Sequence, residues 1–362
     1  MAYDFIPKSV DEINNQKSLK SDEYVKVYQY LSSKYGKDDP IALSTSATEM
    51  KNVKISRGFQ GLFELSDIKK TLGLSYVKLS FGEGSRGGRG VKNQGGAFEI
   101  NLTKDLNAWW AGSETYTSTA NKNLIHELVE YYGWEKTKLK SFEAIQMGEL
   151  NQKRPLIFQG KDVFIGTSAD PNIGKTVTDI TLKVNGNQEV YLSLKATGTV
   201  TFFNAGVARI FTETDMKKNG TVTNAQGLAL LNLLGIDPVK FAAVFNTYGS
   251  SMQRYTEDIT RNIDKPRLIK LLKSGIGYGF HYVHAKRPTE IHHMEMTKQA
   301  MEKLADPKKA VIYYGGKGSP AKRIDIEVDT PYIALKINIR NKQGGVYPTH
   351  IMCDYTFKRY PS

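Results

Sequence analysis

Cysteine is nearly absent from this sequence, because Cys353 is the single one among 362 residues. A disulfide framework is therefore excluded, and so is a zinc site built on cysteine thiolates. Such a composition is typical of a protein from a reducing, intracellular compartment. We therefore expect the chain to work in a cytoplasm.

Long apolar runs are missing as well. No stretch reaches the roughly 18 apolar residues that mark a membrane-spanning helix. Residues 1–15 contain acidic side chains and lack an apolar centre, so the sequence predicts no signal peptide. No basic amphipathic helix stands out, and a membrane is therefore not an expected partner.

Acidic residues are outnumbered: 37 Asp and Glu stand against 50 Lys and Arg, which gives a formal net charge of +13. A chain this basic favours a polyanionic partner, and nucleic acid above all. The length and the 40% of hydrophobic residues suit two or three domains with packed cores. The sequence pattern predicts a small α/β region at 1–84, a central core at 85–250 and a C-terminal α+β region with basic strands at 251–362.

Several regular elements are predicted from periodicity. Apolar residues recur every three or four positions at 22–35, 97–110 and 123–132, which predicts helices. Residues 310–357 alternate apolar and polar side chains, which predicts strands. Between them, the Gly-rich segment 82–96 predicts a basic loop. The residues of this loop that we expect to contact nucleic-acid phosphates are Arg86, Arg89 and Lys92.

A hairpin is predicted over residues 177–194, since an Asn185-Gly186 pair between two β-rich stretches is the strongest short-range hairpin signal. Side chains alternate along a strand, so Ser193 and Lys195 share one face, which Asp179 on the first strand can also reach. A polar hairpin face is equally typical of simple exposure to solvent. Phosphodiester hydrolysis, however, uses this combination of carboxylate and lysine around a divalent metal.

The segment Gly95–Glu99 places an acid in the first turn of the helix that follows the basic loop. Together with Asp179 and the triplet Ser193–Lys195, this arrangement resembles the PD-(D/E)XK nuclease superfamily, which includes many restriction enzymes and phage nucleases. The resemblance covers roughly residues 85 to 215. It implies an α/β (α+β) fold with a mixed central sheet flanked by helices.

The resemblance also implies an activity, which is hydrolysis of DNA phosphodiester bonds by an endonuclease that uses Mg²⁺, with Mn²⁺ as a substitute. Glu99, Asp179 and the carbonyl of Leu194 would bind the metal, and Lys195 would serve the attacking water. Glu99, Asp179, Ser193 and Lys195 together form the expected catalytic set. A further helix would begin near Phe203 and Asn204, and both Lys175 and Asn204 are candidate DNA contacts.

Two departures from the superfamily pattern stand out. Ser193 occupies the place of the second acid, and a neutral hydroxyl is a poor ligand for a hard cation. Glu99 is the first candidate to supply the missing charge, ahead of Glu213 and Asp215. The stretch between Glu99 and Asp179 is also longer than a minimal core and would be an insertion. The alternative is therefore a catalytically inactive nucleic-acid-binding or phage structural protein on the same fold.

The expected partner is DNA, with RNA left open as a substrate, and a homodimer is left open as the assembly. If the chain is phage-encoded, as the resemblance implies, its compartment is the host cytoplasm. Four histidines in a Tyr- and Gly-rich stretch favour structural roles over a metal site because their spacing is irregular. They are His281, His284, His292 and His293. A relaxed phosphate-loop pattern at 169–176 is not expected to bind nucleotide, because a β-rich stretch follows it.

Overall fold

The computed structural model describes residues 5–16, 22–35, 40–44, 51–56, 59, 63–81, 94–146, 154–166, 170–196, 200–249, 253–287, 290–318, 321–342 and 345–361. The chain divides into two compact units, Met1–Ile100 and Asn101–Ser362. Three of the predicted DNA contacts, Arg86, Arg89 and Lys92, lie outside the described residues.

The first unit combines helices with a small sheet. Its elements are α1 (Val10–Asn15), α2 (Asp22–Tyr35), β1 (Ile41–Leu43), β2 (Asn52–Ile55), α3 (Leu65–Thr71), β3 (Lys78–Phe81) and the first part of α4 (Gln94–Trp110). The strands pair in the order β1-β2-β3. Helix α2 has the predicted bounds, because Tyr24, Val27 and Leu31 fall on one face and are fully buried.

The second unit holds the rest of α4 and two large sheets. Its other helices are α5 (Thr119–Tyr132), α6 (Gly174–Val177), α7 (Glu213–Asn219), α8 (Ala225–Leu233), α9 (Pro238–Asn246), α10 (Lys265–Ile276) and α11 (Lys298–Leu304). Its strands are β4 (Phe142–Gln146), β5 (Leu156–Gln159), β6 (Asp162–Ile165), β7 (Ile180–Val184), β8 (Gln188–Lys195), β9 (Thr201–Gly206), β10 (Tyr255–Asp258), β11 (Phe280–Arg287), β12 (Glu290–Met296), β13 (Lys309–Tyr314), β14 (Arg323–Asp329), β15 (Ile333–Arg340) and β16 (His350–Phe357). The mixed α/β class is thereby confirmed.

The predicted hairpin is strands β7 and β8, which pair antiparallel. Asn185 and Gly186 form the turn with positive φ of 54° and 78°, the backbone conformation that this turn type requires. The hairpin belongs to a five-stranded sheet with the order β12-β11-β8-β7-β4. This sheet is mixed, since β8 and β11 run parallel while its other neighbouring strands run antiparallel.

The second large sheet is six-stranded and has the order β10-β13-β14-β15-β16-β9. The strands predicted at 310–357 are confirmed in it as β13 to β16. Ile312, Ile326 and Ile337 are fully buried on one face of this sheet. They belong to one hydrophobic cluster with Leu230 of α8 and Leu271 of α10, so that face is packed into the core of the unit.

The prediction of a helix that begins near Phe203 and Asn204 is wrong. Both residues lie on strand β9, which pairs antiparallel with β16. The reason is tertiary packing: Phe202 stacks on Tyr355 of β16 with ring centroids 3.7 Å apart. Two adjacent aromatic side chains that both become buried suit a strand in this position better than the helix the sequence suggested.

Strands from either side of residue 250 pair in both large sheets, and the division into three regions stays a prediction. The hairpin β7–β8 pairs with β11, and β9 pairs with β16. Within the described residues, no single helix is both long enough and apolar enough to cross a membrane. Helices α8 and α9 reach that length only as a pair bent by 106°.

Candidate active site

Asp179 lies directly before strand β7 and is held against β8 at two points. Its backbone N–H donates to the carbonyl of Leu192 at 2.8 Å, and its carboxylate Oδ2 accepts from the N–H of Leu194 at 2.6 Å. The residue is only 7% exposed. A buried carboxylate with such an anchor has a defined orientation, which is what a catalytic or ligating group needs.

Ser193 and Lys195 share one face of β8, as predicted. The ammonium of Lys195 donates to the Ser193 hydroxyl at 3.3 Å. Ser193 is buried, while Lys195 is half-buried and nearer the strand end. The structure therefore brings Asp179, Ser193 and Lys195 together on the hairpin.

The parallel neighbour of β8 extends this row of polar side chains. On β11, His284 is the register partner of Lys195, and on β12 His292 is the partner of His284. His292 Nε2 lies 2.7 Å from Oε1 of Glu290. We call Lys195, His284, His292 and Glu290 the cross-strand row.

A cavity of about 430 Å³ opens beside His284, His292 and Glu290 of the cross-strand row, and Lys195 is not one of its lining residues. Its walls include His284, Glu290 and His292, and the basic side chains Lys286, Lys358 and Arg359. Burial lowers the pKa of His284, and the nearby His292, Lys286 and Lys195 lower it further. A neutral imidazole at neutral pH is able to accept a proton inside this cavity.

The opposite face of the same strands carries a second hydrogen-bonded chain. The Tyr132 hydroxyl lies 2.9 Å from Nδ1 of His281, and His281 Nε2 lies 2.9 Å from Nδ1 of His293. His293 Nε2 lies 2.8 Å from Oε2 of Glu127, whose side chain is 56% exposed. Burial, followed by the charge of His293, lowers the pKa of His281 to about 3.

Sequence reasoning missed the division of the four histidines between two faces. His284 and His292 line the cavity, whereas His281 and His293 belong to the hydrogen-bonded chain. Their alternation along two neighbouring strands was the available signal. The pairing of β11 with β8, which the sequence does not encode locally, decides which pair lies beside Lys195.

The described residues supply only part of a magnesium site. Asp179 is the one carboxylate of the hairpin set, and its Oδ2 is already engaged by a backbone N–H. Ser193 adds a neutral hydroxyl that itself accepts from Lys195. Within the described ranges, no three His, Cys, Asp or Glu side chains are grouped so that they could hold a metal ion. These residues alone therefore do not fit a divalent cation.

Glu99, the predicted source of a further carboxylate, is half-buried on α4 in the first unit. Its partnership with Asp179 stays a prediction. Of the lesser candidates, Glu213 pairs with Lys217. Asp215 is engaged in a local network, because its carboxylate accepts from the Asn219 side chain and the Thr223 backbone.

The other residues predicted to contact DNA or the metal lie on different elements of the chain. Lys175 is exposed on the short helix α6, and Asn204 is exposed on strand β9. Leu194, whose carbonyl was the predicted metal ligand, is buried at 7% exposure. DNA contact by Lys175 and Asn204, and metal ligation by the Leu194 carbonyl, stay predictions.

Comparison of the chain with protein-family models, with curated proteins and with solved structures finds no significant match. The arguments for function therefore rest on the residues and their geometry.

Proposed function

We propose that the chain is a DNA endonuclease, and that the cavity beside the cross-strand row is where the phosphodiester bond is hydrolysed. One observation carries the proposal. Asp179 is bonded to the Leu194 N–H, between Ser193 and Lys195, which are hydrogen-bonded to each other. His284 pairs with Lys195 in the neighbouring strand of a mixed sheet. The net charge of +13 suits a polyanionic substrate.

Hydrolysis requires that a water oxygen bonds to phosphorus, that the bond from phosphorus to the leaving oxygen breaks, and that a proton moves from the water to that oxygen. His284, neutral because its pKa is lowered, accepts the proton from the attacking water. The leaving oxygen takes a proton from solvent water, and the imidazolium returns its proton to the solvent. Lys195 donates to the developing negative charge of the phosphate. Arg359 in the cavity wall adds positive charge for the phosphate oxygens.

Magnesium belongs to this proposal as a prediction from the resemblance. When bound, it would polarise the scissile phosphate and acidify the attacking water. Asp179 would hold it, and Glu99 stays the sequence-based prediction for a further carboxylate. An intracellular setting, in a phage or restriction context, is proposed on the same basis.

The test is cleavage of supercoiled plasmid with magnesium and with a chelator, beside the variants Asp179→Asn, Lys195→Met and His284→Gln. We expect metal-dependent nicking that all three variants lose. Cleavage that survives both Asp179→Asn and Lys195→Met would overturn the site assignment. Nicking that persists in chelator but is lost in His284→Gln would place the chemistry on the imidazole and remove magnesium from the proposal.

A second function is supported by the burial of the same residues. Asp179 and Ser193 are 7% and 2% exposed, Asp179 accepts from the Leu194 N–H, and Ser193 accepts from Lys195. That arrangement also suits a fold that binds nucleic acid without cleaving it. No cleavage under any metal condition, together with salt-sensitive DNA binding, would establish this alternative.

A further inference from the structure

Two imidazoles line the cavity beside the cross-strand row, and the proposed DNA hydrolysis uses only one of them. His284 on β11 and His292 on β12 are register partners. Opposite residues of an antiparallel pair have Cβ atoms roughly 4.5–5.5 Å apart and point to the same side of the sheet. Both rings also reach solvent, since His284 is half-buried and the His292 side chain is 38% exposed. A ligand in the cavity can therefore contact both rings.

The two rings have different electrostatic surroundings. Burial is the largest cause that lowers the pKa of His284, and the charges of His292, Lys286 and Lys195 add to it. His292 has a carboxylate partner, because its Nε2 lies 2.7 Å from Oε1 of Glu290. A carboxylate bonded to one ring nitrogen orients an imidazole and stabilises its protonated form. Two titratable groups in such different environments suit the base and the acid of one reaction.

A row of aromatic rings runs along the wall of the same cavity. Phe357 and Tyr360 have ring centroids 4.6 Å apart, and Tyr360 stacks on His292 at 5.5 Å. All three residues line the cavity. Unpaired bases bind by stacking on such rings, and RNA sequence is recognised mostly through unpaired bases. The cavity volume of about 430 Å³ falls within the roughly 300–1,000 Å³ of small-ligand sites, which suits one unpaired nucleotide.

RNA differs from DNA in carrying its own nucleophile, because the 2′-hydroxyl lies beside the phosphorus atom. Cleavage by this hydroxyl needs a base that takes its proton and an acid that protonates the leaving oxygen. The nucleophile is already held next to the phosphorus, so it needs no activation by a metal. A pair of imidazoles with different surroundings therefore meets the demands of RNA cleavage.

We infer that the cavity beside the cross-strand row also cleaves single-stranded RNA without a metal ion, with His284 as the base and His292 as the acid. The 2′-oxygen bonds to phosphorus while the bond from phosphorus to the 5′-oxygen breaks. The 2′-hydroxyl proton passes to His284, and His292 gives a proton to the leaving 5′-oxygen. The products are a 2′,3′-cyclic phosphate and a 5′-hydroxyl, and exchange with solvent restores both imidazoles. Arg359, which lines the cavity, adds positive charge for the phosphate.

This inference shares with the proposed function the placement of a phosphodiester in the cavity, but it depends on neither magnesium nor DNA. The test incubates the full chain in chelator with a labelled single-stranded RNA and with a DNA strand of the same sequence. The variants are His284→Gln and His292→Gln. The matched control is His126→Gln, which alters an exposed histidine of α5 that does not line the cavity.

We expect the wild type and the control to cleave the RNA alone and to leave cyclic phosphate ends. Each cavity variant should lose about 10²–10⁴-fold in rate, as for a lost general acid or base. All four proteins are purified in parallel, so that an RNA-cleaving contaminant would appear as equal rates.

A second substrate separates the roles of the two histidines. It is the same RNA with sulfur in place of the 5′-oxygen at the mapped cleavage position, because a thiolate leaves without being protonated. We expect His292→Gln to regain most of the wild-type rate on this substrate. His284→Gln should stay slow, since the 2′-hydroxyl must still lose its proton. A merely structural role for His292 would slow both substrates equally.

Several results would overturn the inference: no RNA cleavage by the wild type, cleavage of the DNA strand in chelator, equal rates for all four proteins, or no recovery of His292→Gln on the sulfur substrate. Melting curves identify a variant that does not fold. If His284→Gln is such a variant, His292→Gln on the two RNA substrates still decides. RNA cleavage in chelator, beside a failure to nick plasmid in magnesium, would support this inference and remove the DNA proposal. Plasmid nicking without RNA cleavage would do the reverse.

Discussion

The Asp179 carboxylate is tied to the Leu194 backbone N–H by a hydrogen bond of 2.6 Å. This bond joins the start of one hairpin strand to the polar end of the other. It gives Asp179 a structural role that is separable from any catalytic one. Two substitutions at the same position can divide these roles.

Asp179→Asn keeps an oxygen that can accept from Leu194 but removes the charge. We expect this variant to unfold at nearly the wild-type denaturant concentration and to lose cleavage by about 10² or more, as for a lost charge-stabilising group. Asp179→Ala leaves the buried N–H of Leu194 without an acceptor, which costs roughly 1–3 kcal/mol of unfolding free energy. Urea denaturation and plasmid nicking on the same preparations provide both measurements. Wild-type cleavage by Asp179→Asn would show that the carboxylate is structural only.

Close packing explains the glycine at position 174, within the segment 169–176 that resembles a phosphate loop. A Cβ at this position would lie 1.8 Å from the carbonyl oxygen of Gly279 and 2.9 Å from the Tyr191 ring. The glycine is therefore required for close packing of α6 on β8 and β11. The helix itself has four residues, which is too short to present a phosphate site.

We expect Gly174→Ala to destabilise the second unit by about 3 kcal/mol or more, since backbone cannot yield as a side chain does. Gly206→Ala is the matched control, because its Cβ would come no closer than 4.0 Å to any neighbour, which is the Thr349 carbonyl oxygen. Thermal unfolding measures the loss of stability in both variants. Equal melting temperatures for the two variants would contradict the packing argument.

Local signals explain what could be predicted from the sequence. The hairpin was predictable because Asn185 and Gly186 stand between alternating runs, and α2 was predictable from its own periodicity. Strand β9 was not, since Phe203 is placed by a partner strand about 150 residues later in the chain. The position of His284 opposite Lys195 was not predictable either, because it depends on the register between β8 and β11.

The basic loop can be tested by the salt dependence of DNA binding. Each phosphate contact contributes about 0.9 to the slope of log affinity against log salt. Substitution of Arg86, Arg89 and Lys92 by glutamine should therefore flatten that slope by up to about 0.9 for each contact that is lost. Anisotropy titrations at several salt concentrations measure it. A slope equal to that of the wild type would remove these three residues from the DNA interface.

The buried histidine chain predicts a pH dependence of stability. Burial, followed by the charge of His293, lowers the pKa of His281 to about 3 in the folded protein, against 6.5 for an ordinary histidine, so the unfolded chain binds the extra proton first. Stability therefore falls as pH drops below 6.5, by up to roughly 1.4 kcal/mol for each pH unit from this one group. The polar groups that surround the ring are Tyr132 and Tyr131 of α5 and His293 of β12, with Glu127 and Glu295 beyond them.

The substitution His281→Gln isolates the contribution of His281 to the pH dependence of stability. His281→Gln keeps a side chain that can donate and accept but removes the titration, so its unfolding free energy should fall less steeply than that of the wild type between about pH 6.5 and 5. Carboxylates titrate mostly below that window, and the other histidines are common to both proteins, so the difference in slope belongs to His281. His126→Gln, an exposed histidine on the same helix α5 as Tyr132, is the matched control and should keep the wild-type slope. Identical slopes for wild type and His281→Gln would mean that the imidazole is protonated in the fold, with Glu127 compensating through His293.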